Sequence, residues 1–589
     1  MVPISENSVM LYDAGGRTWL QFSNPVMIYA VCDLESVVDV LRECERQVAA
    51  DHLYAAGFLS YEAGPAFDRA LVAHPAGAFP LIWLGLYERP TPFSFPSMAE
   101  ADFTAIPWRP SVTEDEYRHS FQRIKEYIRA GDTYQVNYSF RLQAPFSLNP
   151  WTMFVRMIHA QGNGYGAFVN TEDWTVCSAS PELFFTLEEG QLLSRPMKGT
   201  AARGLTYADD RMQADWLVNS EKNRAENVMI VDMVRNDMGR VSDGASVEVA
   251  SLYDCEKYPT LWQMTSTVQC QTKESLVDIF RALFPAASIT GAPKVRTMQI
   301  IADLESTPRR IYTGTIGFLS PERRAQFNVA IRTVLVDNKK HLSEYGVGGA
   351  IVWDSEKAEE MKECYTKAKI LVQKQPDFSL LETILWTPQE GYVLLDHHLK
   401  RLAESAAYFS RPAEIDKIRE KLSTLSREFH PQPMRMRLLL QPDGEPVYDV
   451  GIPAPLPQPY RIGLADKSIL SNDVFLYHKT TNRQCYEERL ASSPGYDDLL
   501  LWNENREITE SCIANVVVDM DGKLLTPPVT CGLLPGTLRS FLLDRGQVGE
   551  QVIKIDDLQC CSKVYLVNSL RGIWEVSPDF SVRQGSSKS

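Results

Sequence analysis

Pro376 divides this sequence. A helix-compatible run covers residues 355–372, and a proline four residues beyond cannot continue it, because it lacks an N–H and clashes with the preceding turn. On the far side, Phe378-Ser379-Leu380-Leu381-Glu382-Thr383-Ile384 opens a strand-rich pattern. A chain of 589 residues exceeds what one hydrophobic core fills, so the break reads as a domain boundary. Two domains are expected, 1–373 and 377–589, the first made of an N-terminal region and linker over 1–112 and a core over 113–373.

Charge excludes some functions. A net charge of −15 argues against a nucleic-acid groove or an anionic membrane footprint, while local arginines and helix N-termini could still hold an anionic substrate. Eleven cysteines, an odd number without metal-like spacing, suit a reducing compartment, and the pair Cys560-Cys561 is expected on a buried strand. Glu6 and Asp13 interrupt any signal-peptide pattern, and no apolar run reaches membrane-spanning length, so a cytoplasmic location is expected.

Local patterns place the motifs. Residues 1–88 read as strands and short helices, followed by a linker rich in proline (Pro90, Pro92, Pro96, Pro107, Pro110). Thr113 and Glu116 form a capping box for a helix carrying Tyr117, Phe121, Ile124 and Ile128, which Gly131 ends. A strand follows, with Tyr134, Val136, Tyr138, Phe140 and Leu142 on one face and Gln135, Asn137, Ser139 and Arg141 on the other. Asp521-Gly522 between two apolar runs signals a hairpin.

Lys198 stands in Arg195-Pro196-Met197-Lys198-Gly199-Thr200, after the strand-like run Gly190-Gln191-Leu192-Leu193-Ser194. Glu182 lies sixteen residues earlier in an apolar run, and a hairpin would bring the two together as a proton donor and a nucleophile. Alone, Lys198 reads as a surface lysine after a turn. Glu360 and Glu363 share one helix face, and Glu226 sits on a helix beginning near Ser220. Carboxylates on two facing helices suit Mg²⁺, and alone they read as solvated helix faces. Gly291, in Thr290-Gly291-Ala292-Pro293, permits close backbone approach, whereas Gly317 reads as a turn residue.

Six segments occur in order: Gly131-Asp132-Thr133-Tyr134-Gln135-Val136-Asn137, Ser180-Pro181-Glu182, Lys198-Gly199-Thr200, Arg224 to Asp232, Ser288 to Lys294, and Gly348-Gly349-Ala350-Ile351-Val352. Together they resemble the chorismate-utilising enzymes over roughly residues 1–373. The resemblance implies that Glu226 and Glu363, with Glu360 close by, bind the Mg²⁺ that holds the ring carboxylate of chorismate. It implies Arg332 for the other carboxylate, completed by Tyr312 and the backbone at Gly349, with Thr290 and Gly291 near the metal-held end. Asn223 stands where an acidic residue is common, and Gln263 where many relatives have histidine, so Gln263 is given no proton-transfer role.

Two positions select the reaction. Members that add water carry a lysine base where Gln135 stands, and glutamine cannot take a proton from water at neutral pH. Anthranilate synthases show a small residue where Lys198 stands, and Lys-Gly-Thr resembles the aminodeoxychorismate synthases. That resemblance implies attack of Lys198 on C2 as the 4-hydroxyl leaves, protonation of that hydroxyl by Glu182, and displacement by ammonia at C4. Lys198 must become neutral for this, which burial or a neighbouring cation would favour. No Gly-x-Cys-x-Gly elbow with a trailing histidine is present, so a separate glutamine amidotransferase subunit is the expected ammonia source.

Beyond residue 377, His397-His398-Leu399-Lys400-Arg401-Leu402, Tyr477-His478-Lys479-Thr480, Ile508 to Asn515, and Leu534-Pro535-Gly536-Thr537-Leu538-Arg539 resemble the fold-type IV pyridoxal-phosphate enzymes. The resemblance implies Lys479 as the cofactor-bearing lysine, Glu510 beside the pyridinium nitrogen, and Arg401 with the Thr537 and Leu538 amides on the phosphate. Arg571 would meet a substrate carboxylate. Alone, Lys479 is a loop lysine and Arg401 a helix-surface residue. The two resemblances imply an α+β chain: a large domain of layered antiparallel sheets with outer helices, then a smaller pyridoxal-phosphate domain. They imply 4-aminobenzoate formation toward folate, by amination of chorismate and elimination of pyruvate. The alternatives are an anthranilate synthase-like domain fused to a branched-chain or D-amino-acid aminotransferase-like domain, and a second half that is a cofactor-free scaffold for the amidotransferase.

Overall fold

The computed structural model describes residues 5–96, 106–162, 164–372, 376–457 and 459–579. The chain forms two compact units, one of Met1–Ala202 and Ala214–Gln375, the other of Arg203–Gln213 and Pro376–Ser589. Both mix helices with largely antiparallel sheets.

Two ten-stranded sheets form the first unit. In one, Gln135–Pro145 pairs along Leu342–Ile351, and the order continues through Thr333–Asp337 and Trp174–Ser178 to Ser8–Asp13. The other runs from Met197–Ala202 through Leu261–Gln271, Gln191–Arg195 and Leu183–Glu188 to Tyr54–Leu59 and Ile82–Tyr87. Val9, Leu11 and Phe22 of the first sheet share one core with Phe58, Trp83 and Phe318 of the second, so the sheets pack face to face. Helices cover the outer faces: Glu114–Ala130, Pro150–Gln161 and Lys357–Ala368 on the first, Leu34–Ala50, Glu221–Gly239 and Leu276–Leu283 on the second. Each fully buried phenylalanine, such as Phe185 or Phe280, contributes about 1.5–3 kcal/mol of transfer free energy.

The Thr113–Glu116 capping box is present, and Gly131 ends the helix at φ 79°. The strand begins at Gln135, leaving Tyr134 exposed. Its apolar face packs on the helices, yet Gln135, Asn137, Ser139 and Arg141 are buried as well, because that face looks into the unit and not into water. There, Glu305 accepts hydrogen bonds from Ser139, Arg309 and Arg141, a charge cluster removed from solvent. Breaking such a pair by removing one partner costs about 3–5 kcal/mol.

Three local expectations are corrected. The N-terminal region contains a helix of 17 residues, Leu34–Ala50, and not only short ones. Gly317 lies within the strand Thr315–Leu319, where a Cβ would stand 2.1 Å from the Gln326 carbonyl oxygen; close packing explains it, not a turn. Cys560 is exposed at the end of the 3-10 turn Asp556–Cys560, and Cys561 is half-buried outside any strand. The polar run Asp556-Asp557 turns the chain at the surface there.

The second unit holds a four-stranded sheet, Gly391–Tyr392, Leu380–Thr387, Met434–Leu440 and Pro446–Gly451 in order, and a nine-stranded sheet built around Asn515–Met520. Asp521 and Gly522 both take positive φ, 53° and 76°, closing the two-residue hairpin between Asn515–Met520 and Lys523–Thr526. The segment 203–213 belongs to this unit. Arg203 forms a bidentate pair with Asp210 at 2.6 and 2.8 Å, lies 4.3 Å from the Tyr408 ring, and donates to the Tyr408 carbonyl. Tyr408 donates to the Gly204 carbonyl at 2.7 Å and packs on the His478 ring. No helix among the described residues is long and apolar enough to cross a membrane.

Candidate active sites

In the first unit, a hairpin of Leu183–Glu188 and Gln191–Arg195, turning at Glu189 and Gly190 with φ 50° and 80°, brings Glu182 to Met197 and Lys198. Glu182 is buried; its carboxyl accepts from Ser288 Oγ at 2.6 Å and from the Met197 amide. Burial pushes its pKa up to about 7, against the opposing pull of Ser288, Met197, Lys198 and Lys367. A carboxyl so held keeps a protonated fraction near neutrality that can donate.

Gly199 takes φ 100° and a Cβ there would press on Asn223, so glycine lets the lysine strand lie close on the helix Glu221–Gly239. That helix presents Glu226, whose Oε2 is 3.4 Å from Lys198 Nζ. Of the two features expected to favour a neutral Lys198, burial is present, while the group paired with it is a carboxylate and not a cation.

Glu363 pairs with Lys367 at 2.7 Å, and Glu360 accepts from Ser355 Oγ at 2.6 Å. Burial raises Glu360, whereas Lys367 holds Glu363 below the usual carboxylate range. Lys198 acts electrostatically on Glu182, Glu360 and Glu363, so these groups share one neighbourhood. Glu226, Glu360 and Glu363 do not converge as a cage: no cluster of three such side chains able to hold a metal exists among the described residues. Their all-oxygen donor set still fits a hard cation that keeps several waters and takes only one or two protein carboxylates.

Arg332 is buried, donates to Gln161, and feels the charge of Glu182, which places it by the same acid; burial lowers its pKa. A Cβ on Gly349 would come within 3.1 Å of Glu360 Oε2 and 4.0 Å of Lys367 Nζ, so the backbone there borders both. Tyr312 lies against Gly346 and feels Lys367. The Thr290 carbonyl accepts from the Asn137 amide, and a Cβ on Gly291 would meet the Gln135 carbonyl oxygen at 2.1 Å. Gln263 donates to the Gly199 carbonyl at 2.8 Å, a structural tie to the lysine turn. Sequence reading missed Ser288 and Lys367. Lys367 also donates to the Gly348 carbonyl at 2.9 Å, and its spacing four residues after Glu363 was the available signal.

The second unit contains a cavity of about 390 Å³ lined by Lys479, Glu510, Arg401, Thr537 and Arg571. Lys479 is held by its own carbonyl, which accepts from Leu381 in the four-stranded sheet. Burial, and then Arg401, lower its pKa to about 8. Glu510, on Ile508–Ser511, accepts from Tyr486 at 2.8 Å, Asn515 at 3.2 Å and the Leu534 amide at 3.3 Å. Burial pushes it up to about 7 against the opposing pull of Tyr486, the Leu534 amide, Lys479 and Arg483, and none of the ion pairs among the described residues includes it. A protonated pyridine nitrogen would supply the missing counter-charge.

The helix Thr537–Asp544 starts without a side-chain cap, so the Thr537 and Leu538 amides are open to an anion. Gly536 is required before it, since a Cβ would lie 1.9 Å from Asn515 Oδ1. Arg401 is buried and not a helix-surface residue. Its guanidinium binds Glu382 at 2.9 and 2.6 Å and donates to the Pro535 carbonyl. Although burial opposes ionisation, Arg401 and His398 hold Glu382 at about 2. His398 bridges Glu382 at 2.6 Å and Ser569 at 2.9 Å. Glu382, Tyr486 and Asn515 were not singled out from sequence. The cavity thus fits a cofactor with a phosphate, a basic ring nitrogen and an aldehyde for lysine.

Residues 93–373 match the family model of the chorismate binding enzymes, and residues 379–578 that of the class IV amino-transferases. The chain is 38% identical over 278 residues to aminodeoxychorismate synthase component 1 of Escherichia coli (strain K12), a match covering 47% of this chain and 61% of that protein. It is 39% identical over 282 residues to the protein of the same name from Bacillus subtilis (strain 168), covering 48% and 59%. The chain thus spans about six-tenths of the length of these relatives. The solved structure of anthranilate synthase component I from Streptococcus pneumoniae TIGR4 superposes with a TM-score of 0.53 at 22% identity, covering 63% of this chain and 94% of that one, a likeness of fold.

Proposed function

We propose that this chain makes 4-aminobenzoate in two steps, aminating chorismate at C4 and then eliminating pyruvate. The first step is carried by one observation: a buried carboxyl with a pKa near 7, Glu182, in the neighbourhood of a lysine amine, Lys198. Glu182 donates its proton to the departing 4-hydroxyl while neutral Lys198 attacks C2. Ammonia then attacks C4 and expels the lysine, giving 4-amino-4-deoxychorismate and water. Arg332, with Tyr312 and the Gly349 backbone, orients one carboxylate. Mg²⁺ at Glu226, Glu363 and Glu360 would supply charge neutralisation for the other. The relatives' name supports this reading, and "component 1" agrees with ammonia arriving from a separate glutamine amidotransferase subunit.

For the second step, pyridoxal phosphate supplies an electron sink when bound. Lys479, with its lowered pKa, would hold the cofactor and, once released from it, move the C4 proton of the substrate amine. Glu510 would keep the ring nitrogen protonated, Arg401 and the Thr537 and Leu538 amides would hold the phosphate, and Arg571 would meet a substrate carboxylate. With the C4 proton removed, the C3–O ether bond breaks, enolpyruvate leaves and is protonated to pyruvate, and the ring becomes aromatic.

The test is incubation of the protein with chorismate, ammonium, Mg²⁺ and pyridoxal phosphate. Equal amounts of 4-aminobenzoate and pyruvate are expected. Formation of 2-aminobenzoate, separated by chromatography and fluorescence, would replace this reading with anthranilate synthesis.

A further inference from the structure

The cavity around Lys479 is strongly cationic. Arg401, Arg435, Arg437, Lys479, Arg483 and Arg571 line it, against the single carboxylate of Glu510. The occupant is thus an assembly with several negative charges, and the partners of each arginine show where they go.

Arg401 is neutralised by Glu382. Arg483 is fixed over the Tyr486 ring, 4.7 Å from its centroid, and donates to the Cys512 carbonyl, which ties it to the Glu510 end. Arg435 and Arg437 stand two residues apart on Met434–Leu440 and point to the same face of that strand. Asp449 lies directly across from Arg437 in the ladder, yet its carboxylate goes to Arg435 at 2.7 Å. Arg437 is left with no ion pair and no hydrogen bond among the described residues, while its side chain borders the cavity beside Thr383, its neighbour in Leu380–Thr387. Arg571 enters from the other sheet, after Lys563–Asn568, likewise without an ion partner among the described residues.

With the cofactor's phosphate assigned to Arg401 and the helix start, two arginines remain, one on each sheet. We infer that Arg437 receives the second carboxylate of a dicarboxylate amine in this cavity, Arg571 receiving the first, and that this pair restricts the site to dianionic substrates. The inference rests on the elimination step proposed above and names the residue that selects its substrate. A guanidinium without a competing anion is suited to bidentate capture of a carboxylate, and an amino acid with one carboxylate would leave Arg437 unmatched.

The experiment uses the full-length protein loaded with pyridoxal phosphate and supplied with 4-amino-4-deoxychorismate, with pyruvate release followed. Arg437→Gln is expected to lower kcat/KM by about 10- to 100-fold, the equivalent of one hydrogen-bonded charge pair. The loss should fall on KM, with cofactor absorbance and cofactor affinity unchanged, and Arg437→Lys should recover part of it. A wild-type protein that releases no pyruvate would overturn the elimination reading itself. If the wild type is active, an Arg437→Gln protein with wild-type KM, or one whose defect is in cofactor affinity, overturns the role of Arg437.

Discussion

Lys198 Nζ stands 3.4 Å from the Glu226 carboxylate, both side chains largely buried. The proposed nucleophile is thus paired with a proposed metal ligand, and arrival of cation and substrate would have to exchange that partnership. If Lys198 is the nucleophile, Lys198→Ala should lower 4-aminobenzoate formation by roughly 10³- to 10⁶-fold, as loss of a covalent group does. Chorismate binding should persist, because Arg332 and the carboxylates remain. Equilibrium binding and product chromatography check this, and near-normal 4-aminobenzoate from the variant would sink the covalent route.

The acid Glu182 sets a pH limb. Its pKa is raised to about 7, so the protonated, donating form persists well above the usual carboxylate range and is lost as pH rises through about 7. Chorismate amination should therefore decline on the alkaline side. Glu182→Gln should lower the rate by about 10²- to 10⁴-fold and abolish that limb. A pH–rate profile of ammonia-dependent turnover, corrected for the free ammonia fraction, decides it; an unchanged limb in the variant would assign it elsewhere.

Chelation should separate the two units. Treatment with EDTA is expected to stop chorismate consumption and Mg²⁺ to restore it, while pyruvate release from added 4-amino-4-deoxychorismate continues. Loss of both activities, or of neither, would remove the carboxylates Glu226, Glu360 and Glu363 from the metal role.

Lys479→Ala should abolish pyruvate release and leave chorismate consumption intact, so that 4-amino-4-deoxychorismate accumulates. Because burial brings Lys479 down to about 8, loading of the cofactor-free protein should accelerate as pH rises to about 8 and then level off. Absorbance of the bound cofactor follows the loading, and normal pyruvate release by the variant contradicts the assignment.

The Arg203–Asp210 pair is buried and bidentate, so Arg203→Ala should cost the second unit about 3–5 kcal/mol by leaving an uncompensated carboxylate. Urea unfolding monitored through the bound cofactor measures it. A loss below about 1 kcal/mol, as for an exposed pair, would show that the segment is dispensable there.

What the sequence made legible was local chemistry. The capping box at Thr113 and Glu116, the αL glycine at 131 and the Asp521-Gly522 turn each need only neighbours within four residues, and all are present. Approach of Glu182 to Lys198 followed from a hairpin, again a local device. Glu382 was different. Its contacts with His398 and Arg401 join residues 16 and 19 apart across a strand and a helix, a spacing that no periodicity announces. Cys560-Cys561 misled because cysteine's usual burial says nothing about a pair of aspartates turning the chain just before it. Burial of both faces at Gln135–Pro145 also escaped pattern reading, since Ser139 and Arg141 there bond to each other and to Glu305 inside the unit.

The segment 203–213 carries one more implication, for how such a chain can be divided or inherited. A break between residues 373 and 376 yields two fragments, but the later one lacks Arg203, Gly204 and Asp210, and with them the cover over Tyr408 and His478. A split at that point would part the second unit from the residues that pair with and pack on Tyr408. The second unit thus draws part of its interior from a stretch that is translated well before the rest of it.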